Sequence, residues 1–193
     1  MISYNNVTIL EKNIVSLKKK LKDIPIQVVS NKEDFLKVIK INKKNNILSP
    51  VLGGKNRHES VYNALLAIKN FNPKYVLIHD SARPLISNKV IEELLKHCNK
   101  NLTCVVPTLN VTDSIRTISK KLIKEVVAKK SKVLVQTPQL CNYKLLMDAH
   151  LKSKSFYEDE SSLFLNNGMR VIATEGDPLN LKITYEKDLK LLE

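Results

Sequence analysis

Tryptophan is absent from the 193 residues, and glycine stands only at Gly53, Gly54, Gly168 and Gly176. Cysteine is scarce too: Cys98, Cys104 and Cys141 are an odd number without a CxxC pair. That excludes a disulfide scaffold and a clustered zinc site, and it suits a reducing, cytoplasmic setting. No apolar run reaches the roughly 18 residues that span a bilayer. Met1-Ile2-Ser3-Tyr4-Asn5-Asn6 lacks the charged-then-apolar order of a secretory signal. Acidic residues are outnumbered, 19 Asp and Glu against 32 Lys and Arg, for a net charge of +13. Such a charge suggests anionic ligands. Arginine, however, occurs only as Arg57, Arg83, Arg116 and Arg170, leaving 32 − 4 = 28 lysines. A surface built for nucleic acid favours the arginine fork, so nucleic acid is not the expected partner. Hydrophobic residues make up 43% and charged residues 26%, enough for a core and too apolar for a disordered chain. One domain over residues 1–193 is expected.

Apolar periodicity supplies the elements. Leu10, Ile14, Leu17 and Leu21 recur at helical spacing and predict a helix over about 8–21. Strands are expected at Ile26–Ser30, Ile47–Leu52, Tyr75–Ile78 and Leu102–Pro107. Helices are expected at Lys32–Ile41, from Val61 to Ile68, and from Ile91 to Cys98. Apolar strands alternating with amphipathic helices predict an α/β fold, a mostly parallel Rossmann-like sheet with helices on both faces. Ser114–Ser119 and Leu122–Ala128 then read as two arms of a hairpin about Lys120-Lys121, a protruding β-arm at about 112–132. Val133–Thr137, Arg170–Glu175 and Leu181–Thr184 are expected strands. Tyr143–Leu151, Glu160–Asn167 and Glu186–Leu192 are expected helices, with Gly168 closing the second in a left-handed conformation.

Ligands of open parallel sheets bind at the carboxyl ends of the strands. After Leu52 come Gly53-Gly54-Lys55-Asn56-Arg57-His58-Glu59-Ser60. Paired glycines let backbone approach a flat base or a phosphate, and Ser60 can cap the helix that follows; a plain turn explains the same residues. After Ile78 come His79-Asp80-Ser81-Ala82-Arg83-Pro84. A carboxylate at a strand end beside arginine suits a divalent metal or a substrate hydroxyl, or an ion pair that ties down the turn. His79 reads as packed against the sheet. His58, His97 and His150 have no partner at ligand spacing. Lys182 alternates with Leu181 and Ile183 and so points away from their face, toward a phosphate or solvent.

The order GGxxRxxSV, VLIHDSARP, VVPTL, QTPQL, DESSLFLNNG, EGDPLNLKIT resembles the 2-C-methyl-D-erythritol 4-phosphate cytidylyltransferases over essentially Ile2 to Glu193. HDxARP and TPQ are the most specific segments. The resemblance implies a Rossmann-like sheet with a β-arm that exchanges contacts in a homodimer. It implies transfer of CMP from CTP, with Mg²⁺, to a sugar-alcohol phosphate. Gly53, Gly54, Lys55 and Ser60 then belong to the cytosine-reading loop, and Ser81 lies near the ribose. Asp80 and Arg83 face the acceptor, with Asp80 the candidate metal ligand, and Thr137 contacts the acceptor. Lys182 steadies charge at the transferring phosphorus. Lys129 or Lys130 matches an arginine that reaches the neighbouring subunit's site.

Departures from the family pattern carry expectations of their own. Lys55 stands where the family usually has Asp, and a Lys at 129 or 130 keeps charge without the bidentate grip. Glu158 stands on the acceptor-binding side where Thr is typical, and its carboxylate would repel a phosphate. The family opens with a strand and a loop, AAGxGxRM…PKQ, that wrap the triphosphate, and Met1 falls just after that position. Very low turnover of CTP is therefore expected of these residues. Ribitol-5-phosphate cytidylyltransferase, or a non-catalytic dimerising relative, are the alternatives.

Overall fold

The computed structural model describes residues 2–98, 101, 103–153 and 155–192. Leu102, where a strand is expected to begin, lies outside the described residues, as do Met1 and Glu193 at the ends of the expected domain.

Asn5 and Asn6, with φ of 49° and 61°, turn a hairpin between β1 (Ser3–Tyr4) and β2 (Val7–Thr8). Periodicity gives no hint of so short a pair; the Asn-Asn turn does. Thr8 caps α1 (Ile9–Lys20), its hydroxyl accepting the Glu11 N–H at 3.0 Å. Then follow β3 (Val29–Ser30), α2 (Phe35–Asn45), β4 (Val51–Leu52), α3 (Arg57–Ala67), β5 (Tyr75–Ile78) and α4 (Asn88–Leu95). β6 (Cys104–Asn110) leads into the arm, β7 (Ile115–Ser119) and β8 (Leu122–Val127). β9 (Val133–Val135), β10 (Gln139–Asn142), α5 (Tyr143–Lys152), α6 (Glu160–Asn166) and β11 (Val171–Glu175) complete the series.

The main sheet runs β11-β6-β10-β5, with β9 also on β6. β11 lies parallel to β6, while β10 runs against both β6 and β5, so β5, β6 and β11 share one direction. Alternation sorts side chains to two faces. Cys104, Val106 and Cys141 pack under α3, α5 and α6 with Leu65, Leu146 and Phe164. Val105 and Leu140 pack under α4 and the end of α1 with Val90, Leu94 and Leu21. The α/β architecture with helices on both faces is therefore present. β3 and β4 form a separate parallel pair. Between it and β5 lies a cavity of about 630 Å³, walled by Val28, Val29, Leu65 and Leu77 and bordered by Arg57, Ser60, Asp80 and Lys182.

Several expected elements differ. The strand foreseen at Val133–Thr137 stops at Val135; Gln136 and the cis Thr137-Pro138 bond intervene before β10, and β9 and β10 both pair with β6. Leu181–Thr184 is not a strand. The turn at 176–180 carries it against the loop after β5, where Ile183 makes one strand-like bond, donating its N–H to Ala82 O at 2.8 Å. Glu186–Leu192 is a 3₁₀ helix. α3 begins at Arg57, before Val61, because Asn56 caps it by accepting the Glu59 N–H at 2.8 Å. Gly168 does follow α6 with φ of 70°.

The arm turns at Lys120 and Lys121, with φ of 46° and 67°, the paired positive values of a tight hairpin turn. Ile118, Leu122, Ile123 and Val126 on it are exposed. No helix among the described residues is long and apolar enough to cross a membrane.

Candidate active site

The loop that leaves β5 is held from three directions. Asn13 of α1 is buried, and its Nδ2 donates toward the carbonyls of Asp80 (3.4 Å), Ser81 (3.2 Å) and Arg83 (3.1 Å). From the β9–β10 connection, Thr137 Oγ1 accepts the Asp80 N–H at 3.0 Å and lies 3.2 Å from His79 Nδ1. From the far side, Arg83 Nη1 donates to Asn180 O at 2.7 Å. Fully buried Asn180 donates to Thr137 O at 2.9 Å, closing the ring of contacts.

His79 is neutral here. Burial pushes its pKa down to about 4, against the hydrogen bonds that would raise it. Its Nε2 lies 3.0 Å from Arg83 O, a carbonyl that can only accept, so Nε2 carries the proton and Nδ1 accepts from Thr137. The Thr137 hydroxyl proton is thus committed to His79. What Thr137 retains for a ligand is one lone pair, suited to a ligand hydroxyl.

Asp80 is the centre of a charge-balanced quartet. Its Oδ1 lies 3.4 Å from Arg57 Nε and its Oδ2 3.1 Å from Lys182 Nζ. Arg57 grips Glu160 with both terminal nitrogens, Nη1–Oε1 at 2.7 Å and Nη2–Oε2 at 2.9 Å. Burial pushes the Asp80 carboxyl up, but Arg57, Lys182 and Arg83 outweigh it and hold its pKa below the ordinary value. Burial likewise lowers Arg57, and Glu160 with Asp80 more than reverses this. Burial raises the Glu160 carboxyl, against the pull of Arg57. The Lys182 side chain is 51% exposed against 17% for Asp80, so the lysine is the member free to move.

Glu160 is delivered by α6. Gln139, fully buried, donates to Asp159 Oδ2 at 2.9 Å and accepts the Ser161 N–H at 2.9 Å. Asp159 caps the helix, accepting the Ser162 N–H at 2.8 Å. Burial raises Asp159, but its bonds from Ser162, Gln139 and Ser161 bring it below the usual value. Glu158, one residue earlier, is exposed.

The glycine loop is folded on itself. Gly53 N–H donates to Ser30 O (2.9 Å), Gly54 N–H to Ser60 Oγ (3.1 Å) and Lys55 N–H to Glu59 Oε2 (2.8 Å). Ser60 is therefore not the expected cap. It lies inside α3, donates to Asn56 O at 2.7 Å and braces Gly54. Neither glycine has positive φ; the need is for closeness, since a Cβ on Gly54 would collide with Glu59 Cβ. The loop's amides are occupied, so it presents shape and carbonyl acceptors.

The structure thus brings together Asp80, Arg83, Thr137 and Lys182, with Ser81 exposed on the same loop; of the glycine-loop residues, Ser60 lines the cavity, and Gly53, Gly54 and Lys55 form the turn beside it. It does not join Lys129 or Lys130 to them within one chain. Lys129 Nζ donates to Thr112 O at 2.6 Å at the root of the arm. No cluster of three His, Cys, Asp or Glu capable of holding a metal occurs among the described residues. Asp80 alone can offer an oxygen to a cation that arrives with phosphates and water as its other ligands.

Asn13, Gln139, Glu160 and Asn180 were not singled out by sequence. Asn13 had a signal, a polar residue on the apolar stripe of Leu10, Ile14 and Leu17.

The chain as a whole is similar to known proteins. The family profile described as "IspD: 2-C-methyl-D-erythritol 4-phosphate cytidylyltransferase" matches residues 1–193. The chain is 38% identical over 182 residues to the 2-C-methyl-D-erythritol 4-phosphate cytidylyltransferase of Dictyoglomus thermophilum, covering 90% of this chain and 78% of that one. It is 36% identical over 165 residues to the bifunctional enzyme IspD/IspF of the Wolbachia of Brugia malayi, covering 83% of this chain and 40% of that protein. In fold it is similar to a crystal structure of 4-diphosphocytidyl-2C-methyl-D-erythritol synthase, with a TM-score of 0.88 at 23% identity, covering 100% of this chain and 92% of that one.

Proposed function

The chain belongs to the 2-C-methyl-D-erythritol 4-phosphate cytidylyltransferase family, and on that footing we propose that it joins CMP from CTP to 2-C-methyl-D-erythritol 4-phosphate in isoprenoid precursor synthesis. The observation that carries the proposal is Asp80 at the carboxyl end of β5, held between Arg57 and Lys182.

An acceptor phosphate oxygen attacks the α-phosphorus of CTP. The new O–P bond forms as the α–β bridge breaks, and diphosphate leaves. Lys182 exchanges its contact with Asp80 for the charge developing at phosphorus; its exposure permits the swing. Asp80, then free on Oδ2, accepts from an acceptor hydroxyl, and Thr137 accepts from another through its remaining lone pair. Arg83 supplies positive charge on the same side. The Gly53–Lys55 loop meets the base through carbonyls, which suit the exocyclic amine of cytosine. Asp80 is the residue that would offer an oxygen to Mg²⁺, which would neutralise phosphate charge when bound.

The exposed Ile118, Leu122, Ile123 and Val126 of the arm support a twofold homodimer in which the arm covers a second copy. Lys129, at the arm's root, would then approach the partner's acceptor site. A cytoplasmic location is supported by three free cysteines, of which Cys104 and Cys141 sit with sulfurs 3.4 Å apart as thiols.

Diphosphate release tests the activity. With CTP and Mg²⁺, release should be slow but should require 2-C-methyl-D-erythritol 4-phosphate, and be slower still with ribitol 5-phosphate. Equal or faster use of ribitol 5-phosphate would reassign the acceptor. No CTP binding by calorimetry and no release with either acceptor would overturn the reading.

A further inference from the structure

Glu160 touches no part of the open cleft. It is 2% exposed, and its carboxylate grips the two terminal nitrogens of Arg57. This grip fixes the plane of the Arg57 guanidinium, whose Nε meets Asp80 Oδ1 at 3.4 Å, a long contact. Asp80 therefore keeps Oδ2 for Lys182 at 3.1 Å.

A guanidinium beside a lone carboxylate prefers a two-bond embrace. Without the Glu160 charge, Arg57, its side chain more than two-thirds buried, would be left with Asp80 as its remaining anionic partner. Two-bond capture would turn the Asp80 carboxylate toward Arg57 and draw Oδ2 away from Lys182. Glu160 reaches this position only because Gln139 and the Asp159 cap fix the first turn of α6.

We infer that Glu160 is a positioning residue for the transfer reaction: it holds the Arg57 fork so that Asp80 stays available to Lys182 and to the acceptor. For turnover the inference rests on the proposed function; for the state of Asp80 it does not.

The test is Glu160→Gln, which keeps size and one acceptor and removes the charge. Turnover should fall at least tenfold, about 1.4 kcal/mol or more, with the KM for CTP within about twofold, because the loss falls on the acceptor side alone. Independently of activity, a crystal structure of Glu160→Gln should show Arg57 turned to meet Asp80 with two hydrogen bonds and Lys182 drawn off Asp80. Arg57 and Lys182 in their original places would overturn the inference. Absence of turnover in the unaltered chain would count against the proposed function and leave the crystal structure to decide this one. Should Glu160→Gln not fold, Glu160→Gln with Arg57→Lys decides: a lysine cannot make the two-bond embrace, so Lys182 should keep its contact with Asp80, and a displaced Lys182 contradicts the arrangement.

Discussion

The two sides of the cleft are held in different ways. On the Asp80 side each functional group is fixed by residues far away in the chain: Asn13 on the loop carbonyls, Thr137 on the Asp80 amide, Asn180 on Arg83, Glu160 on Arg57. On the glycine side the contacts of Gly54 and Lys55 lie within six residues, to Ser60 and Glu59. Long-range contacts exist only once α1, β5, β10 and α6 have packed, so the Asp80 side is set by the whole fold. The glycine loop can shift by moving a few neighbours. One side is built to fix charge, the other to adapt to a base.

Asp80→Asn should break the first side most severely. It removes the anion between Arg57 and Lys182, and turnover should fall by about 10²- to 10³-fold, the size expected for a preorganised charged group at the reacting centre. Diphosphate release measures this, and circular dichroism should show the fold intact.

Gly54→Ala addresses the other side. The new Cβ would meet Glu59, so the loop must shift at a cost of about 1–3 kcal/mol. CTP affinity by calorimetry should weaken, while the Asp80 titration stays where it is. A moved Asp80 would show that the two sides are coupled.

Acid separates them more gently. His79 has a pKa near 4 in the fold against 6.5 for an ordinary histidine, so between these values the unfolded chain binds more protons. Stability is therefore complete above 6.5 and falls as the pH drops toward 4. His150, also near 4 through burial, contributes in the same sense. Urea midpoints at neutral pH and near pH 5 should show the loss, and His79→Asn should reduce it.

Glu158→Thr should have the smallest effect. An exposed carboxylate is screened, so acceptor KM should fall only about two- to threefold, well under 1 kcal/mol by the usual worth of exposed charges. Steady-state kinetics would register it.

Much of the scaffold is legible in sequence. Apolar periodicity places α1, α3, β5, β6 and the arm, and Lys120-Lys121 marks its turn. The motif residues Asp80, Arg83, Thr137 and Lys182 do meet in space. What escapes are the buried polar residues that hold them. Gln139 sits in a strand and Asn180 in a turn, where amides are unremarkable until their partners, 20 and 43 positions away, are known. Glu160 reads as an ordinary acidic first-turn residue, and nothing local links it to Arg57, 103 positions distant. The Leu181–Thr184 segment has a strand's alternation but bonds through Ile183 to the loop after β5 instead of joining a sheet.

The most direct test of the Asp80 side as an acceptor site is calorimetric titration of 2-C-methyl-D-erythritol 4-phosphate into the chain with Mg²⁺ and a non-hydrolysable CTP analogue. The account predicts saturable binding that weakens at least tenfold, about 1.4 kcal/mol, in Asp80→Asn. Equal affinity in the unaltered chain and in Asp80→Asn would contradict it.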